Sequence, residues 1–109
     1  VWEYRTRPQN AESLLRIQQV ETGPAGAPVY HFSLAGIRID GMPGDTMPHL
    51  PVSAATLDAS VTRLSTRTPD FPDPAEGIAT WRAAKGGVFT IPVADIVDII
   101  QKTIDGQRD

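Results

Sequence analysis

The 109-residue sequence predicts an α+β domain: an antiparallel β-meander of three to four strands with about three helices packed on one face. Three observations predict it. Residues 1–7 alternate apolar and polar, residues 28–40 alternate again around a glycine, and apolar residues between Val93 and Ile104 recur at helical spacing.

Trp2, Tyr4 and Thr6 fall on one side of an extended segment and Glu3, Arg5 and Arg7 on the other, the pattern of an antiparallel strand with one wet face. Pro8-Gln-Asn10 reads as its turn. Leu14 to Thr22 is the second strand. Leu15 and Ile17 face one way and Val20 the other, so this strand carries an irregularity of its own. After the turn-rich stretch 22–28, the central strand runs over Pro28–Asp40. Tyr30, Phe32 and Leu34 share a face and His31 and Ser33 the other, while Ile37 and Ile39 are out of step. A bulge at Ala35-Gly36 restores the isoleucines to the core side.

Residues 41–51 have no useful period and hold three prolines and two glycines, which predicts an irregular surface loop. Ser53 reads as the N-cap of a helix reaching to about Ser65, with Ala54, Leu57, Val61 and Leu64 on one stripe. Residues 66–72 break it. Asp73-Pro-Ala-Glu76 starts the next helix, with Ile78 and Trp81 on one face and Gly86-Gly87 as its stop. Val88 to Ile91 has strand composition. The last helix carries Val93, Ile96, Val97, Ile100 and Ile104 along one face, with Asp98 and Lys102 as an i, i+4 pair outside it and Gly106 at its end.

A chain of this length makes one domain, residues 1–109, and buries a core without covalent staples. The net charge of −3 and the scattered basic residues argue against nucleic acid as a partner. No apolar run approaches the roughly 20 residues of a transmembrane helix. Cysteine is absent, which removes disulfides, thiolate nucleophiles and cysteine metal sites.

His31 and His49 offer no paired spacing that would ligate a metal, so no metal and no cofactor is expected. The serines form no GxSxG or SxxK pattern, and no catalytic residue is assigned. Asp70, Asp73 and Glu76 form the densest acidic stretch, but their spacing lacks the alternation of a calcium loop and capping already explains Asp73 and Glu76, so no cation site is read there. The candidate binding residues are therefore those of the two irregular loops: Asp45, Met47, His49 and Leu50 in 41–51, and Phe71, an aromatic between prolines, in 66–73.

Val1-Trp-Glu-Tyr-Arg-Thr-Arg-Pro8, His49-Leu-Pro-Val-Ser53 with Leu57 and Ser60-Val-Thr-Arg63, and the stretch Trp81–Ala94 resemble a family of small uncharacterised bacterial proteins often made with a secretion leader. The resemblance implies a periplasmic or secreted protein rather than a cytoplasmic one and names no activity. The expectation is a non-catalytic binding or accessory module with a protein partner. Two alternatives stand beside it: a small hydrolase-like enzyme using His49 with Asp45 or another carboxylate, and an inhibitor or immunity-type protein whose negative charge complements a basic partner.

Overall fold

A computed structural model describes residues 1–23 and 26–107, the side chain of Gln107 excepted. Pro24 and Ala25 of the expected 22–28 connection lie outside the described residues. In chain order the elements are β1 (Trp2–Tyr4), β2 (Leu14–Thr22), β3 (Pro28–Ala35), β4 (Thr46–Ser53), α1 (Ala54–Ser60), β5 (Val61–Leu64), α2 (Ala75–Ala83) and α3 (Val93–Gln107). The strands form one antiparallel sheet in the order β4-β3-β2-β1-β5. The α+β architecture with an antiparallel meander and three helices stands, but the sheet has five strands instead of three to four.

Both additional strands come from stretches whose sequence hides them. β4 lies within 41–51 and just beyond, where Pro48 and Pro51 argue against a strand. It tolerates them because it is an edge: among the described residues its outer side pairs only with Phe89, whose N–H donates to the Pro51 carbonyl at 3.0 Å and whose carbonyl accepts from Ser53 N at 3.0 Å. The run 88–91 thus supplies one parallel bridge, Val52 to Phe89, and no full strand. β5 is the second half of the expected helix. Ser53 does cap α1, its hydroxyl accepting from Thr56 N at 3.2 Å, but the helix stops at Ser60. Val61 and Thr62 are β-branched, and the segment pairs with the free edge of β1.

α1 therefore joins the two opposite edges of the sheet. Its seven residues span about 10 Å, whereas five flat strands would hold their outer members about 19 Å apart. The sheet must coil to let them meet. Inside the coil lies the core: Leu15, Phe32, Leu34, Leu50 and Val52 from the sheet, Leu57 from α1, and Val93, Ile96 and Val97 from α3. Each large side chain fully buried here contributes about 1.5–3 kcal/mol before ordering costs.

Ile37 and Ile39 do return to this core, 1% and 2% exposed, but not through a bulge in a continuing strand. β3 ends at Ala35. Gly36 takes φ +70°, a left-handed conformation that side chains disfavour, and turns the chain out of the sheet; Ile37 N then donates to the Asp45 carbonyl at 2.9 Å. The irregularity in β2 falls at Gln18, an extra residue between the pairs Ile17–Phe32 and Gln19–His31.

The expected wet face is also corrected. Arg7 is buried: its guanidinium donates to Asn10 Oδ1 and the Arg38 carbonyl, each at 2.9 Å, and pairs with Asp98 at 3.2 Å. Asp98 thus ties α3 to the first turn of the chain instead of serving Lys102. His31 and Ser33 are fully buried as well, because the helices do not all pack on one face. α1 and α3 cover the side of Phe32 and Leu34, while Trp81 of α2 covers His31 and Pro72, just before α2, covers Ser33. Among the described residues no helix is long and apolar enough to cross a membrane.

Candidate functional site

The covered polar side of the sheet is assembled by two register shifts. The extra residue Gln18 in β2 puts Glu21 on the same face as His31, diagonal to it across the β2–β3 ladder. In β4, Phe32 pairs with Leu50 and Leu34 with Met47, so Pro48 and His49 together oppose Ser33. That bulge keeps both Met47 and Leu50 on the core side and turns His49 to the polar side. Without either shift, the three titratable side chains would not share a face.

The result is a chain of hydrogen bonds. His31 Nδ1 lies 2.7 Å from His49 Nε2, and His31 Nε2 lies 2.6 Å from Glu21 Oε1. Glu21 is held in turn by Arg82 of α2, whose Nη2 reaches Oε1 at 3.1 Å and Oε2 at 3.2 Å. Trp81 sets its ring edge-on to His31 with centroids 4.8 Å apart. Beside them the Ser33 hydroxyl sits 2.6 Å from the Pro48 carbonyl and accepts from Gln18 Nε2 at 3.2 Å. His31 and Ser33 thus have no free polar group facing a cavity.

α2 fits onto this layer because of what its sequence omits. α2 begins at Ala75 with Pro74 as its N-cap, one residue later than expected, and Asp73 Oδ1 accepts from Ala75 N at 2.9 Å just ahead of it. Gly77 then faces His49: a Cβ placed there would come within 2.7 Å of His49 Cβ and 3.2 Å of its ring. The missing side chain is what lets the helix lie on the histidine. Trp81 is pinned from the other side, its Nε1 donating to the Gly87 carbonyl at 2.9 Å.

The environment moves two of these groups. Burial, then the nearby His31, hold the His49 imidazole below the ordinary histidine range, only partly offset by Glu21. For Glu21 burial acts to raise the carboxyl, but the hydrogen bonds from Arg82 and His31 outweigh it and hold it below the usual carboxylate range. His49 Nδ1 has no hydrogen-bond partner among the described residues and is not buried, so it meets solvent. It does so beside an open hollow of about 430 Å³ lined by Pro48, Asp73, Glu76, Gly77 and Thr80.

A larger open groove, about 550 Å³, runs between the end of β2 and the carboxyl end of α2. Glu21, Thr22 and Gly23 form one wall; Trp81, Arg82, Lys85 and Gly86 form the other. Among the described residues no three His, Asp or Glu side chains converge as metal ligands, and His31 and His49 supply two nitrogens where a structural site needs four donors.

The five candidate residues are thus dispersed. Met47 and Leu50 are buried in the core, not displayed on a loop. Asp45 is exposed at the turn after the isoleucines, and Phe71 is half-buried. Of the five, only His49 belongs to the hydrogen-bonded chain. The residues that sequence reasoning passed over are Glu21, His31, Trp81 and Arg82. The only signal for them was the alternation of β3, which placed His31 opposite Phe32 without showing that both sides are covered.

Comparison with protein-family models, curated proteins and solved structures finds no match.

Proposed function

We propose that the protein is a non-catalytic binding or accessory module that takes a protein partner in the groove between β2 and α2. The observation that supports this reading is the groove itself: a concave surface of about 550 Å³ beside an indole already fixed by its own hydrogen bond. A pre-ordered aromatic loses little conformational freedom on binding, which is why such residues anchor interfaces. Lys85 at the lip would complement a carboxylate next to an apolar side chain of the partner. The recognition edge expected at loops 41–51 and 66–73 loses two of its apolar residues, Met47 and Leu50, to the core, which favours this side of the molecule instead.

A photo-crosslinking residue at Lys85, compared with one at Lys102 on α3, tests this in cells of the source organism. The reading expects a discrete protein adduct from position 85 alone, lost on Trp81→Ala. Equal yields from both positions, or an adduct indifferent to Trp81→Ala, would contradict it. The resemblance to an often-exported family supports placing the protein in the periplasm or outside the cell; co-fractionation with cytoplasmic markers would remove that placement.

One observation favours a second reading, an acid–base enzyme. His49 Nδ1 meets solvent at the head of a chain that ends on a carboxylate, and that carboxylate is Glu21 rather than Asp45. Any hydrolytic activity found for the protein that survives His49→Ala would eliminate this reading.

A further inference from the structure

Two ring nitrogens facing each other at 2.7 Å share one hydrogen, and counting hydrogens shows what the layer beneath α2 can accept. The Glu21 carboxylate only accepts, so His31 Nε2 carries a hydrogen. With both rings neutral, His49 Nε2 donates to His31 Nδ1, and His49 Nδ1 presents a lone pair to solvent. A first added proton enters at His49 Nδ1. The hydrogen between the rings can then transfer to His31 Nδ1, leaving an imidazolium against Glu21 and a neutral His49. The contact survives, with donor and acceptor exchanged.

A second added proton has no such place. It must go to His49 Nε2, where two N–H groups and two cations would face each other at hydrogen-bonding distance. The rings have to separate. The backbone of α2 lies against His49 at Gly77, where a single added carbon would come within 2.7 Å of its Cβ and 3.2 Å of its ring. A ring displaced from His31 disturbs the contact that seats α2.

We propose that the Glu21–His31–His49 chain is an acid-operated latch for α2: it stays closed with one excess proton or none, and it releases the helix on taking the second. Glu21 from β2 accepts from His31 Nε2 and is shared with Arg82 of α2. Asp73 and Glu76 beside the hollow favour a cation on the solvent side of His49, but neither restores a hydrogen-bond acceptor between the rings. Trp81 covers His31 and is uncharged. The depressed affinity of His49 for a proton agrees in sign: the closed form binds the second proton less well than the open form, so falling pH favours opening. The window starts near the ordinary histidine value of about 6.5 and extends downward. One linked proton allows at most about a tenfold change in the opening equilibrium per pH unit. The inference does not depend on the neighbouring groove being a binding site.

Hydrogen–deuterium exchange of the intact protein, corrected for intrinsic rates, tests it between about pH 7.5 and about pH 5, above the range where free carboxylates titrate. The latch predicts that amides of α2 lose protection by up to tenfold per pH unit below about 6.5 while those of α3 keep theirs. His49→Gln, whose amide still donates to His31 Nδ1 but does not titrate, should abolish that slope. A ratio of α2 to α3 protection that is constant with pH, or a slope that persists in His49→Gln, would overturn the proposal. Should that variant fail to fold, imidazole nitrogen shifts of the wild-type protein decide: both rings becoming imidazolium while α2 stays protected would overturn it equally, and loss of α2 protection in step with the second protonation would support it.

Discussion

Phe32 and His31 are neighbours in β3, yet they belong to opposite sides of the sheet and to two kinds of packing. On the Phe32 side the sheet meets α1 and α3 through apolar contact, with Leu34, Leu50, Val52, Ile96 and Val97 all buried. On the His31 side it meets α2 through a layer of directed bonds: Glu21 to His31, His31 to His49, Arg82 to Glu21, Gln18 to Ser33. His31 and Ser33 are as fully buried as Phe32, while Glu21, His49 and Arg82 at the rim of the polar layer reach solvent. Apolar contact tolerates small shifts and is indifferent to protons, whereas each bond in the polar layer depends on geometry and on which atom holds a hydrogen. The difference gives one molecule a permanent half and a half that conditions can address.

The largest break comes on the apolar side. Phe32→Ala should cost about 3–5 kcal/mol in urea denaturation, with no change in how stability varies with pH. Gly77→Ala drives a carbon into His49 and should cost about 1–3 kcal/mol, with shift changes concentrated in α2 and around His31. Ser53→Ala removes the α1 cap and should cost about 1 kcal/mol, a local loss belonging to neither face.

Tyr4 sharpens the comparison because it is the titrating group of the apolar side. Burial pushes its phenol up to about 12, against an opposing hydrogen bond to Ser13 at 2.7 Å. Its folded value is raised, so the stability it contributes is complete below pH 10 and is lost as pH rises through about 12. Tyr4→Phe should flatten that alkaline decline and leave the acid limb unchanged. For His49 the sign is reversed: its folded value is depressed, so its contribution is present above about 6.5 and declines as pH falls toward that lowered value. The smallest effect is expected at the exposed pair Arg63–Glu3, where Arg63→Ala should leave the melting temperature within error.

Much of the frame was legible in the sequence. The apolar stripe of α3, the Ser53 cap and the alternation within β3 rest on local pattern, which a single sequence displays directly. The bulge in β4 was not legible, since it makes Met47 and Leu50 three apart and the period vanishes among prolines. Nor was the burial of His31 and Ser33. An apolar–polar alternation reads as one wet face, and the cover arrives from Trp81 and Pro72, far along the chain. The same distance conceals the candidate site: Glu21, His31, His49 and Arg82 each look unremarkable in local sequence and acquire meaning only when the sheet register and α2 bring them together.

The measurement that tests the central claim most directly is native-state hydrogen exchange at neutral pH across sub-denaturing guanidinium. The account predicts that the protected amides of α2 exchange through a sub-global opening, with a lower free energy and a smaller denaturant dependence than those of α3. Exchange of α2 and α3 at one common free energy, with the full global slope, would contradict it and make the two faces of the sheet a single cooperative unit.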